Sequence, residues 1–195
     1  LVTGVQTCAL PISEIRARGV AIGYVTLHVG LGTFAPVKAA TVTEHHMHEE
    51  RYELSAETAS LVNAARREGR RIIAAGTTSV RVLESAARER ETGRRGDGET
   101  ANTERGLESA TLGNENMLVA GAGRTSIFIY PPYRFRMVDA LLTNFHLPCS
   151  TLVMLASAFA APGELRGREL LLSAYAEAVR QRYRFFSYGD AMLMV

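Results

Sequence analysis

Apolar and polar positions fall into blocks along this chain, and the period changes from block to block. A short helical turn at 14–18 leads into residues 20–29, VAIGYVTLHV, a nearly continuous apolar and β-branched run. That run predicts a buried strand with His28 near its C-terminal end. Over 55–68 the period becomes helical, with Ala59, Val62 and Ala65 on one face and Leu61 beside them. Ser55 offers an N-cap oxygen, Glu57 suits the first turn, Arg66 and Arg67 the last, and Gly69 the closing turn. RIIAA at 71–75 predicts a short buried strand, and GTTS turns it into a second helix through Val80, Leu83 and Ala87. Glu84 and Arg88, four apart, suit a supporting pair on that helix. IFIY at 127–130 and the run 137–144 read as two more strands, and Pro148 cannot continue a sheet. Ser150 or Thr151 then caps a helix over 152–160. A last helix over 169–182 spaces Leu171, Tyr175, Ala178 and Arg182 by three or four. Tyr183, Phe185 and Phe186 suit the packed side of a final strand.

Strands alternating with helices predict an α/β fold, a mixed sheet flanked by helices. The segments 20–29, 127–130 and 137–142 are apolar enough to expect neighbours on both faces. Residues 91–124 break the pattern. They are polar, glycine-rich and dense in charge, and predict a mobile insertion in the body formed by 14–195.

Composition narrows this only a little. With 195 residues, 47% hydrophobic and 22% charged, the chain suits one globular domain with a sizeable core. A net charge of +2 does not by itself argue for nucleic acid. Lys38 is the one lysine among 22 basic residues. So strong an arginine bias fits either phosphate recognition or the base composition of the source genome. Cys8 and Cys149 are too few and too far apart for a disulfide framework, which suits a reducing cytoplasm. The longest apolar stretch, 152–161, is about half of the roughly 20 residues a bilayer requires, so no membrane partner is expected. The chain opens at Leu1 with no methionine, and residues 1–13 fit none of the patterns that follow. They are read as a foreign leader.

The chemistry gathers between Thr26 and Tyr52, where four of the five histidines lie: His28, His45, His46 and His48, with His146 in a second run, NFHLPCST. Histidine titrates nearest neutrality, so such a cluster points to proton transfer or to metal binding. Three histidines and two glutamates within HHMHEE could ligate zinc, which would suit a metal-dependent hydrolase using His45, His46 and His48. Gly30 and Gly32 let the backbone turn sharply beside a ligand. GTTS, at a strand end opening a helix, makes an anion site or a plain N-cap. Aromatic residues beside arginine in YRFFSYGDAM could stack on unpaired bases.

Five motifs stand in order: TLHVGxGTFxPV, HxMHxExY, GTTSxRxLE, TNFHLPxSTLxML and YRFFSYGDAM. Together they resemble the S-adenosylmethionine:tRNA ribosyltransferase-isomerase family of queuosine biosynthesis, from about Ile15 to Met192. The resemblance implies an enzyme that moves the ribosyl part of S-adenosylmethionine onto 7-aminomethyl-7-deazaguanine at the tRNA wobble position. The sugar becomes an epoxycyclopentane ring, and adenine and methionine leave. It also implies a larger catalytic domain, of which this chain is the C-terminal part, lacking the N-terminal half and its inserted β-barrel. S-adenosylmethionine would be a co-substrate, tRNA the partner through its anticodon loop, and no prosthetic group or metal is implied.

Within the motifs, His45, His48 and Glu50 match the family pattern, while His46 falls on a variable position. A methylene proton must be removed and the leaving adenine protonated, and histidine beside a carboxylate suits both. His28 and His146 complete the candidate catalytic set. Candidate substrate contacts are Gly30, Gly32, Thr33 and Phe34 after the first strand, and Thr77, Thr78, Ser79 and Arg81 at the second helix. Asn144, Phe145, Ser187, Tyr188 and Asp190 follow from the last two motifs. A portion of an enzyme could also serve as a non-catalytic RNA-binding module, a rival to turnover by this chain.

Overall fold

The computed structural model describes residues 9–30, 37, 41–92 and 117–195. Among the described residues the organising element is the helix α3, Thr77–Thr92. From Val80 to Ala87 every side chain of α3 is buried, so the helix has no solvent face along that stretch. It runs between two three-stranded sheets. One has the order β1-β2-β4, built from β1 (Val25–His28), β2 (Glu50–Leu54) and β4 (Gly121–Thr125), all antiparallel. The other, β3-β5-β6, is mixed: β3 (Ile73–Ala75) pairs β5 (Ala140–Thr143) in parallel, and β6 (Met192–Met194) pairs β5 antiparallel. Around them lie α1 (Ala9–Ala17), α2 (Ala56–Arg67), α4 (Thr151–Ala160) and α5 (Gly167–Arg180).

A helix buried on all sides must pair its polar side chains, because an unpaired buried polar group is costly. Three on α3 do so, each with a distant part of the chain. Arg81 meets Glu50 of β2 at 2.5 Å, with side chains 4% and 1% exposed. Ser85 and Thr125 of β4 share a hydrogen bond of 2.5 Å. Glu84 accepts from the backbone N–H of Arg136 (3.1 Å) and Met137 (2.9 Å) and from the Tyr133 hydroxyl (3.0 Å). Its expected role as a helix-surface partner of Arg88 is therefore corrected: Glu84 is a core anchor. Burial raises its carboxyl pKa, and the two N–H donors and the tyrosine partly offset that.

The α/β class and the four long helices agree with expectation, and Ser55 and Ser150 cap α2 and α4 by accepting from Thr58 N–H and Val153 N–H. Other expectations need correction. The run 20–29 yields only β1, an edge strand whose residues alternate between half-buried and exposed, because β2 covers one edge and α3 one face. ERYEL, not predicted as a strand, is the central strand β2, with Glu50, Tyr52 and Leu54 inward. IFIY keeps Ile127 and Ile129 in the core but pairs with no strand among the described residues. The expected insertion ends too late. Leu118 is buried and exchanges two hydrogen bonds with the Asn63 amide, and β4 follows, whereas 93–116 lie outside the described residues. The helix α1 opens at Ala9, ahead of the turn expected at 14–18 and inside the segment set aside as foreign. Tyr183 to Phe185 are irregular and Phe186 enters a turn, so no strand forms there, and the last strand is β6.

Two apolar clusters result. The larger joins both sheets through α3, α2 and α4. The smaller gathers Phe145, Ala156, Leu171, Tyr175 and Ala178, with Phe185 and Met192 packed against it. On the outer face of the second sheet Leu142 and Leu193 pair directly and stay exposed, as does Ile73, leaving an apolar patch uncovered.

Candidate functional site

Candidate residues collect where β3 and β5, being parallel, both end, and where β6 begins beside them. The turn after β3 is made by Gly76, whose φ of 87° lies in the left-handed region and whose N–H donates to Leu142 O. Thr77 is buried at the first turn of α3, Thr78 is exposed, and Ser79 donates its hydroxyl back to Ala75 O at 2.8 Å. That bond ties the Ser79 hydroxyl to the end of β3.

One turn on, Arg81 reaches the first sheet. The opposing Glu50 also accepts from Gly30 N–H at 3.0 Å, so this carboxylate ties the glycine turn after β1 to α3. Arg81 Nε finds no acceptor among the described residues. Beside the pair is a void of about 10 Å³ bounded by Met47, Arg81, Phe128, Thr151 and Leu155, near the smallest volume that holds one water. The His45 ring packs edge-on against Phe128, with centroids 5.0 Å apart. Val37 N–H donates to Cys149 O at 2.9 Å, which brings the segment after β1 to the start of α4. Gly30, His45, Glu50 and Arg81 are thus linked through direct contacts and shared neighbours.

Pleating separates His28 from that group. It pairs with Arg51 across the ladder and so projects from the opposite face to Glu50. There its Nε2 lies 3.6 Å from Glu53 Oε1, which Arg51 also approaches at 3.2 Å. The same outer face carries an open groove of about 1060 Å³ lined by Arg16, Tyr24, Thr26, Arg51, Glu53 and Thr58 among others, away from Glu50 and Arg81. His46 and His48 are exposed. Gly32, Thr33 and Phe34 lie outside the described residues.

At the second sheet, His146 Nε2 is 2.9 Å from Thr143 Oγ1, and its backbone N–H donates to the Tyr175 hydroxyl at 2.8 Å. Burial lowers its pKa to about 4, so the imidazole is neutral at pH 7. Asn144 is exposed, whereas Phe145 is packed among Tyr175, Phe185 and Tyr183 and belongs to the core. Ser187 and Tyr188 are exposed. Asp190 accepts from Arg184 N, Nε and Nη2 at 2.6, 3.0 and 3.1 Å, and these bonds hold its pKa at about 2. Phe128, Thr143, Tyr175 and Arg184 are the partners sequence reasoning missed. Only Thr143, three residues before His146, could have been found by spacing.

The depressed His146 pKa has a measurable consequence. Unfolded, the ring takes a proton near 6.5; folded, only near 4. Between those values the unfolded chain binds more protons, so stability falls as pH drops through that window and is fully present above it. The expected contribution is up to about 3 kcal/mol. Thermal unfolding of His146→Gln should show a flatter pH dependence from 4 to 6.5 than the parent, and parallel curves would contradict a half-buried neutral imidazole.

Among the described residues, no three His, Cys, Asp or Glu side chains converge to hold a metal ion. Comparison with known proteins gives the metal-dependent hydrolase reading no support. Residues 9–194 match the family model described as queuosine biosynthesis protein. The S-adenosylmethionine:tRNA ribosyltransferase-isomerase of Geobacter sulfurreducens is 49% identical over 98% of this chain and 47% of its own length. The protein of that name from Carboxydothermus hydrogenoformans is 50% identical over 94% of this chain and 45% of its own length. A solved structure of the S-adenosylmethionine tRNA ribosyltransferase of Thermotoga maritima superposes with a TM-score of 0.63 at 39% identity, covering 94% of this chain and 48% of that one. The chain spans about half the length of the curated relatives it matches. Ordered motifs, fold and near-complete coverage of its own length agree: the chain belongs to the queuosine biosynthesis protein family.

Proposed function

We propose that this chain is part of an enzyme that transfers and isomerises the ribosyl group of S-adenosylmethionine onto 7-aminomethyl-7-deazaguanine at the tRNA wobble position. Epoxyqueuosine forms, and adenine and methionine are released. The observation that carries this reading is about 50% identity to relatives bearing that enzyme name, sustained over at least 94% of the chain. The partner is tRNA, engaged through its anticodon loop; S-adenosylmethionine is a co-substrate, and the reading calls for no prosthetic group. Among the described residues no helix is long and apolar enough to cross a membrane, and a tRNA-modifying role suits the cytoplasm.

In this reading His45 and His48 carry protons, one taking the methylene proton and one protonating departing adenine. His146, neutral and held by Thr143, is available as a further acceptor. Glu50, paired with Arg81 and bonded to Gly30 N–H, holds the glycine turn after β1 in place. Because the relatives are about twice as long, the chain alone is expected to release no adenine. Joined to the remaining part of such a relative, it should release adenine from S-adenosylmethionine only when precursor-bearing tRNA is present. A complete, folded protein that releases none would overturn the reading. Retained RNA binding without turnover would favour a binding module.

A further inference from the structure

Three of the four strongly exposed aromatic residues among the described residues lie within six positions: Tyr183 (49%), Phe186 (46%) and Tyr188 (67%). The loop carrying them is fixed and not slack. Its start is set by the end of α5, where Tyr183 N–H returns to Ala178 O and Arg182 takes the left-handed position, φ 60°, of a helix closure usually given to glycine. Its far end is clamped by Asp190, which takes three hydrogen bonds from Arg184. Between them Phe185 turns inward onto Phe145 and Tyr175, and Phe186 N–H donates to Phe145 O at 3.0 Å.

Phe186 has no such helix-end excuse for its φ of 63°. A bulky residue in the left-handed region is a strained outlier, and such strain persists where surrounding bonds enforce it. Here the enforced conformation holds two large rings in solvent, Phe186 and Tyr188, edge-to-face at 6.2 Å. Holding apolar rings out of the adjacent core, next to the half-buried Phe185, is the reverse of what packing alone favours. Of the three arginines from Arg180 to Asp190, Arg180 pairs with Glu177 and Arg184 with Asp190, whereas Arg182 makes no ion pair among the described residues.

We infer that the loop 182–190 is a stacking platform for unpaired nucleotides of RNA, with Tyr188 and Phe186 receiving bases and Arg182 a phosphate. The inference rests on the proposed tRNA reaction for the identity of the nucleic acid. Every base offers a π-face, so such a platform reads single-strandedness and not sequence. Its anchor at Phe145 sets it next to His146, so bases held there would be presented beside the end of β5. A packing surface for another protein region is the competing occupant, but that leaves the Arg182 charge, outside any ion pair among the described residues, without a purpose.

The test uses this chain, a labelled single-stranded oligoribonucleotide and the matching duplex, with binding followed by fluorescence anisotropy. Tyr188→Ala should weaken single-strand binding about 5- to 100-fold, while Tyr188→Phe, which keeps the ring, should stay near the parent. Arg182→Ala should weaken it less and make it less dependent on salt. Circular dichroism melts that match the parent establish that each variant folds. Equal affinity for duplex and single strand, no binding by the parent, or an unchanged Tyr188→Ala would each overturn the platform. So would protection of Tyr188 from iodination by the remaining part of a relative in the absence of RNA. Adenine release by this chain joined to the remaining part of a relative separates the two claims: no release with base stacking intact sinks the reaction, and the opposite pattern sinks the platform alone.

Discussion

Glu50→Ala should destabilise this chain by about 3–5 kcal/mol, because it strands the Arg81 guanidinium in a site where the side chain is 4% exposed. For a chain of 195 residues that corresponds to a melting temperature roughly 10 °C lower. The loss has two parts. Arg81 already has an Nε without an acceptor among the described residues, so nothing nearby replaces the carboxylate. Gly30 N–H also loses its partner, which should speed exchange of that amide above the general rise. Replacing both charges, as in Glu50→Leu with Arg81→Met, should recover much of the stability, since an apolar pair of similar size carries no desolvation cost. A loss below about 1 kcal/mol for Glu50→Ala would mean that water reaches the pair.

The second large effect is on rate. In a complete enzyme containing this region, His45→Ala should lower turnover about 10²- to 10⁴-fold with little change in affinity for S-adenosylmethionine. His45 also stacks on Phe128, so loss of the ring could act by loosening that contact alone. His45→Phe separates the two, because it keeps an aromatic ring against Phe128 and removes the proton carrier. A rate near normal in His45→Phe would make His45 a packing residue. His48 is exposed and makes no such contact among the described residues, so His48→Ala reads proton transfer with less structural confusion.

The helices were legible because their signals are local. A serine at each start and apolar residues every three or four positions suffice to place α2 and α4. The strand β2 was not, although Glu50, Tyr52 and Leu54 alternate with Arg51 and Glu53 in period two. A glutamate at an inward position breaks the apolar alternation, and only its partner, thirty-one residues on at Arg81, explains it. Glu84 was misread for the same reason: its donors come from residues 133–137, beyond any local window. Several of the motifs converge in space at the ends of β3 and β5. They could not tell which members face a ligand, because pleating puts His28 behind the sheet and Phe145 goes into a core that Tyr175 and Phe185 complete.

The helix α3 has a consequence for how the molecule comes apart. On one side it holds β2 and β4 through Arg81 and Ser85, and on the other it holds the approach to β5 through Glu84. Opening either sheet alone would leave a charge or a hydroxyl facing a dry interior. Partial melting is therefore penalised from both directions. The two sheets, which share no strand, are bound into a single cooperative unit, whose slowest amide exchange should sit on α3 itself.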